Sequence, residues 1–407
     1  MNPAPSRLPT AEFVALVAML AATIAFSIDA ILPALPDIGA ELAPAESARL
    51  PLVIVSFLVG MGVGTVIAGP LSDAFGRKRV MLGGAALYSL SAAAATVMAD
   101  LDGIILARLL QGLGAAGPRV VAIAMVRDLY QGRGMARIIS YSMMVFTLVP
   151  GIAPLIGAGI SASFGWRGVF WSFVAFSLIS SLWLALRQPE TLPTRSRRPL
   201  RVRPLWQAAR EVVSAPDTRR ALMAQTLVFA ILFATIISIQ QIYDQTFDRA
   251  ASFPLWFGGI ALLSGLANLL NARLVGRLGM VWLIRRAIAA HLGLSLVLVV
   301  FWLAFPDLLG FEAFVAWQFG TFAMVGFAVG NLNALALVPL GHVAGMASSI
   351  VSSAATVGAA ALAAPVGLLF DGTPLPLALA SALFAALASL LIARLTEAEE
   401  APRATDV

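Results

Sequence analysis

The sequence has no cysteine, two histidines and a single lysine, Lys78. Without cysteine there is no disulfide framework and no thiolate metal site. His291 and His342 stand far apart in the chain, so no histidine metal cluster is expected and no cofactor is implied. Charge is scarce too. Asp, Glu, Lys and Arg make up 12% of the 407 residues, against roughly 25% in soluble domains. Hydrophobic residues reach 60%, and the mean hydropathy is +0.90. No soluble fold hides that much apolar surface in one core. This balance excludes a cytosolic enzyme, a secreted disulfide scaffold and a nucleic-acid-binding domain, and leaves an all-α polytopic membrane protein. The apolar run from Phe13 is too long for a signal peptide and lacks a cleavage site.

What is present is a series of long apolar runs. A helix needs about 20 mostly apolar residues to cross the hydrocarbon core. That window gives twelve transmembrane helices, near 13–36, 50–71, 80–99, 103–129, 137–160, 166–187, 219–242, 253–274, 280–305, 311–338, 342–369 and 373–395. Only 188–218 is a long connection, rich in Pro and Arg. It divides the chain into a six-helix bundle at 1–187, a linker at 188–218 and a second six-helix bundle with a short tail at 219–407. Loops after even-numbered helices are basic, with Arg77, Lys78 and Arg79, then Arg127, Arg133 and Arg137, and later Arg273, Arg277, Arg285 and Arg286. Loops after odd-numbered helices are acidic or sparse, from Asp37, Glu41 and Glu46 to Asp371. The positive-inside rule therefore places both termini and the linker in the cytoplasm. The Glu397, Glu399 and Glu400 tail reads as a solvated end.

The halves form a weak repeat. Ser27-Ile28-Asp29 corresponds to Ser238-Ile239-Gln240, and the loop ending at Gly76 to the loop ending at Gly279. Facing halves of this kind bind at the bilayer midplane and alternate access. An ionisable group inside a membrane helix is a functional candidate by default. Asp29 and Arg108 fall at similar depth, roughly 8–10 Å from the midplane in the outer half. They are expected to pair across the cavity of the first half, directly or through water. A carboxylate held between burial and a guanidinium can change protonation with small rearrangements, which a proton-coupled carrier needs. A static ion pair fixing the two helices is the alternative. Arg119 follows Pro118 in the fourth helix and is a substrate or gating charge, or snorkels to the interface. In the second half, Gln240, Asn331 and Asn333 are the cavity candidates, while Gln225, Gln241, Asn268, Asn271 and Gln318 read as helix glue. Phe26, Phe57, Phe146 and Phe233 can line an apolar cavity or face lipid.

Gly69-Pro70-Leu71-Ser72-Asp73-Ala74-Phe75-Gly76-Arg77-Lys78-Arg79 resembles the motif between helices 2 and 3 of the major facilitator superfamily. Arg108-Leu109-Leu110-Gln111-Gly112 resembles its helix-4 motif, and Pro150-Gly151-Ile152-Ala153-Pro154-Leu155-Ile156-Gly157 its antiporter motif on helix 5. With the Asp29 to Pro36 stretch, Val126-Arg127-Asp128 and Gly165-Trp166-Arg167, the chain is similar to the Bcr/CflA drug-resistance branch of proton antiporters. The resemblance implies the major facilitator fold, Asp73 capping helix 11, Arg77 meeting Asp128, and proton movement tied to Arg108. It departs at Ile123, at Val329-Gly330-Asn331 and at Ala355, all near the expected cavity.

The resulting expectation is a non-enzymatic drug/proton antiporter of a bacterial inner membrane, acting on small lipophilic neutral or cationic compounds. Its partners would be protons and membrane lipid, with no nucleic acid, and it would be a monomer. The alternatives are an exporter or proton symporter of one amino acid or sugar, and a non-transporting sensor or assembly factor.

Overall fold

The computed structural model describes residues 8–197, 199–200, 202–305 and 310–395, apart from a few side chains between 119 and 147 and that of residue 202. The Glu397, Glu399 and Glu400 tail, Asp307, Arg198 and Arg201 lie outside the described residues, as do the side chains of Arg119 and Phe146. The long helices are α1 (Thr10–Asp29), α2 (Leu52–Phe75), α3 (Arg77–Ala95), α4 (Leu101–Leu129), α5 (132–164) and α6 (166–187). After the linker come α7 (Pro216–Gln241), α8 (Phe253–Leu278), α9 (Met280–Ala304), α10 (Phe311–Leu337), α11 (Ala344–Leu368) and α12 (Leu375–Ala393). Among the described residues, nine helical stretches are long and apolar enough to cross a membrane. Two of them, Leu148–Arg187 and Phe311–Leu368, each contain parts of two spans. The twelfth span is α3, whose first turn carries Arg77, Lys78 and Arg79.

Local chemistry sets the boundaries. Gly76 (φ 101°) and Gly279 (φ 79°) end α2 and α8 in the left-handed region, at matching places in the two halves. There a side chain would strain the backbone. Gly165 (φ 69°) turns α5 into α6. The Asp100 carboxylate accepts from Gly103 N at 2.7 Å and caps α4. Helix 1 is shorter than the sequence suggests. It stops at Asp29, passes through a 3-10 turn at Leu32–Ala34 and restarts as a short helix, Leu35–Leu42. Pro33 and Pro36 have no N–H to carry the helix on. The linker contains a helix that the hydropathy pattern does not reveal, Val202–Ser214.

Packing follows the repeat. In the first half α2 and α3 both pack on α4, α3 packs on α6, and α1 lies against α5–α6. Six helices on, α8 and α9 pack on α10, α9 on α12, and α7 against α11 and α12. The halves meet along two matching seams, α2 with α11 and α5 with α8. Close approach there depends on small residues. Ser353 Oγ donates to Gly62 O at 2.6 Å across the first seam, and Gly151 faces Gly258 and Leu262 across the second. The arrangement is two pseudo-symmetric six-helix bundles. The loops bearing Arg77–Arg79 and Arg277 mark its basic end, and those bearing Asp37, Glu41, Glu46 and Asp102 its acidic end.

Candidate functional site

The break after Asp29 organises the first half. When α1 stops, its last carbonyls lose their helical donors. Arg108, fully buried on α4, supplies one: its Nη2 donates to Ser27 O at 3.0 Å. Its Nε donates to Val53 O on α2 at 3.2 Å, and Nη1 to Gln111 Oε1 at 2.8 Å. The guanidinium also lies 4.3 Å from the Phe57 ring centroid, a favourable cation–π placement. A cation at a helix C-terminus suits the helix dipole. Arg108 thus ties α1, α2 and α4 together at the break.

Asp29 is 4% exposed, and among the described residues it has neither an ion pair nor a side-chain hydrogen bond. The expected direct Asp29–Arg108 pair is therefore not formed. Depth arithmetic places both groups at one level but says nothing of the direction each faces, and the guanidinium is taken by the Ser27 carbonyl at the break, the Val53 carbonyl of α2 and Gln111. Beside them, Ser27 Oγ donates to Thr23 O at 2.8 Å and hydrogen-bonds the Tyr88 hydroxyl. Tyr88 was missed in the sequence, because a buried tyrosine on an Ala-rich helix carries no motif.

The glycines of α5 touch both neighbours. Gly157 lies against the backbone of Ala30, directly at the α1 break, where any Cβ would strike the Ala30 carbonyl. Pro150 and Pro154 lie within the same helix. Gly165-Trp166-Arg167 reaches the acidic end of the broken helix: Trp166 Nε1 donates to Glu41 at 2.8 Å, and Arg167 grips the same carboxylate at 2.7 and 2.9 Å.

At the basic end, Arg77 Nη1 pairs with Asp73 at 2.5 Å and Nε with Asp128 at 3.1 Å. Thr191 donates to the same Asp128 oxygen at 2.9 Å. Glu190 accepts from the backbone N–H of Arg77 at 2.9 Å and of Lys78 at 3.2 Å, an anionic cap on α3. The Arg77–Asp128 contact is as the resemblance implies, whereas Asp73 does not cap α11, whose start has no side-chain cap. Arg77, one turn away, takes Asp73 first. Gly69 faces Ser349 of α11, the nearest atom to a built Cβ being 3.8 Å away. By sequence Glu190 and Thr191 belong to the linker, and their polarity directly after the sixth span is the available signal.

In the second half, Gln240 is 4% exposed at the end of α7, and its amide oxygen has no hydrogen-bond partner among the described residues. Asn333 Oδ1 is unpartnered as well. Asn331 is not free for a cavity: its Nδ2 donates to Asn271 Oδ1 at 2.8 Å and Phe327 O at 2.9 Å, joining α10 to α8. Gln318 accepts from Tyr243 at 2.8 Å. Phe26 packs on Phe173 and Phe176, and Phe233 stacks on Phe229. His291 is buried beside Ser295 and Trp317, and no metal-binding cluster occurs among the described residues.

Two facing six-helix halves, with a buried acid and arginine at a broken helix and glycine-lined seams between the halves, define a multi-pass membrane transport protein. The chain belongs to the Major Facilitator Superfamily, which it matches over residues 15–364. It is 32% identical over 335 residues to a multidrug resistance protein MdtL of Shewanella oneidensis, covering 80% of this chain and 81% of that one. It is 27% identical over 336 residues to a bicyclomycin resistance protein homolog of Haemophilus influenzae, covering 81% and 82%. A D-xylose-proton symporter crystal structure shares the fold with a TM-score of 0.77 at 14% identity, covering 95% of this chain and 98% of that chain.

Proposed function

We propose that this chain is a proton-coupled exporter of lipophilic neutral or cationic compounds, a drug/proton antiporter that works by alternating access. The observation that carries the reading is Asp29, a buried carboxylate at a helix break with no counter-charge among the described residues to fix it in one protonation state. Asp29 takes up a proton from the acidic end, and the halves rock about the α2–α11 and α5–α8 seams. The proton leaves toward the basic end, where the compound then binds. Arg108 keeps the break in shape while this happens, and the Arg77–Asp128–Glu190 cluster latches one end state. One charge moving through 100 mV is worth about 2.3 kcal/mol, enough for a tens-fold gradient. Relatives named for multidrug and bicyclomycin resistance support a drug as cargo. In this reading the basic end and both termini face the cytoplasm of a bacterium. The chain divides as 1–187, 188–218 and 219–407, and it works as a lipid-embedded monomer with no cofactor and no enzymatic chemistry.

The test uses purified protein in liposomes loaded with a pH dye. A proton gradient is imposed, and lipophilic cations and neutral antibiotics are added. The expected result is substrate-dependent proton release that disappears in Asp29→Asn; release at the wild-type rate in that variant would overturn coupling at Asp29. A narrower reading, a carrier of one amino acid or sugar, is favoured by the unpartnered amides of the second half, since a hydrogen-bonding cargo would satisfy them. A response to one such metabolite and to no drug would select it.

A further inference from the structure

The α1 break has a counterpart six helices on. Where α1 gives way after Asp29, α7 gives way after Gln241 to a wide π-turn, Ile242–Thr246. Such turns displace side chains from the ordinary helical register and gather at functional sites. Between the two irregular segments, at the acidic end, lies a cavity of about 380 Å³. One wall is the short helix Leu35–Leu42 with Ser47 and the start of α2; the other is the end of α7 with its π-turn. Asp29 and Arg108 do not line it.

The walls differ in chemistry. The first is mainly apolar, with Leu35, Pro36 and Leu50. The second carries Gln240, Gln241 and Asp244. Gln240 is 96% buried, counting from its 4% exposure, and among the described residues neither its amide oxygen nor that of Gln241 has a partner. A buried amide left unpaired is costly unless something else pairs with it. Asp244, inside the π-turn, lines the same cavity as both amides. An amide alone does not choose the sign of a ligand, but Asp244 does: among the described residues that line the cavity it is the one that carries a charge.

We propose that this cavity is a second binding site, outside the Asp29–Arg108 centre, for an organic cation that carries N–H donors on an apolar body. The carboxylate of Asp244 and the oxygens of Gln240 and Gln241 hold the charged head, and Leu35, Pro36 and Leu50 hold the body. The site stands apart from the direction and coupling of transport.

The experiment is calorimetric titration of the full chain in nanodiscs with benzamidinium. Wild type is expected to bind it saturably. Asp244→Asn is expected to weaken binding about ten-fold, the ordinary worth of a charge-assisted hydrogen bond. Ser47→Trp, at an exposed position lining the cavity, fills it and removes the component of binding that Asp244→Asn weakens, without disturbing a core. Benzyltrimethylammonium, which has no N–H donor, is expected to bind about ten-fold more weakly than benzamidinium. Asp29→Asn is expected to leave titration unchanged even where it abolishes proton release, so failure of the coupling and failure of this site are separable. Absence of saturable binding, or binding equal in wild type, Asp244→Asn and Ser47→Trp, overturns the proposal. Equal affinity for the two cations overturns the role of the amides.

Discussion

The two halves share a backbone plan and differ in how they treat buried polar groups. In the first half the chemistry is ionic and largely closed. Arg108 donates to two backbone carbonyls and an amide, and Arg77 joins Asp73, Asp128 and the linker. In the second half the same turn closes on Gly279 as the first closes on Gly76, yet Gly276 stands where Asp73 does and Met280 where Arg77 does. Deeper in, Gln225, Ser238, Gln240, Gln241 and Asn333 each carry a buried oxygen without a partner among the described residues. The difference suggests a division of labour. Under the proposed function, the half held by charge–dipole contacts supplies the switching points, and the half with spare amides adapts to cargo.

The sharpest way to break this comparison is Arg108→Leu. It strands the Ser27 carbonyl and the Gln111 amide oxygen in a dry interior, and a thermal melt in detergent should show about 3 kcal/mol of lost stability. The matched change in the second half, Tyr243→Phe, releases only the Gln318 amide and should cost about 1 kcal/mol. Equal losses would show that the halves are held alike. At the basic end, Arg77→Ala should destabilise by about 2 kcal/mol, because two carboxylates lose their partner in a half-buried cluster. Arg277→Ala, exposed at the corresponding turn, should stay within about 0.5 kcal/mol. Glu190→Gln sharpens the point further. It keeps the shape of the α3 cap and removes its charge, so a loss of about 0.5–1 kcal/mol is expected, reduced in high salt.

Much of this was legible in the chain, for reasons that particular residues show. Twelve apolar runs are a property of composition, and the glycines at 76 and 279 announce turns that only they tolerate. Asp29 and Arg108 stood out because a membrane charges heavily for them. Their relation did not. Sequence depth fixes height along a helix but not the face a side chain occupies, so it suggests an ionic pair where Arg108 in fact answers the Ser27 carbonyl that α1 leaves open. The break itself was written in Pro33 and Pro36, yet hydropathy ran through it, since Leu, Ala and Ile continue on both sides. Asn331 was equally ambiguous: an amide in an apolar helix suits a cavity or a neighbour, and only packing against Asn271 decides.

A matched pair of side chains tests the comparison most finely. Gln111 and Gln225 are both buried glutamines, one on α4 and one on α7. The first accepts from Arg108 at 2.8 Å; the oxygen of the second has no partner. Gln111→Leu should therefore cost about 2 kcal/mol, since it leaves a buried charged donor unpaired. Gln225→Leu removes an unsatisfied acceptor and adds apolar contact, so the melt should stay within about 1 kcal/mol of wild type or rise. Its cost should appear instead in cargo selection, as a changed order of preference among transported compounds at unchanged stability. A fall matching that of Gln111→Leu would mean that the Gln225 amide is structurally engaged, and the second half would lose its claim to spare hydrogen-bonding capacity.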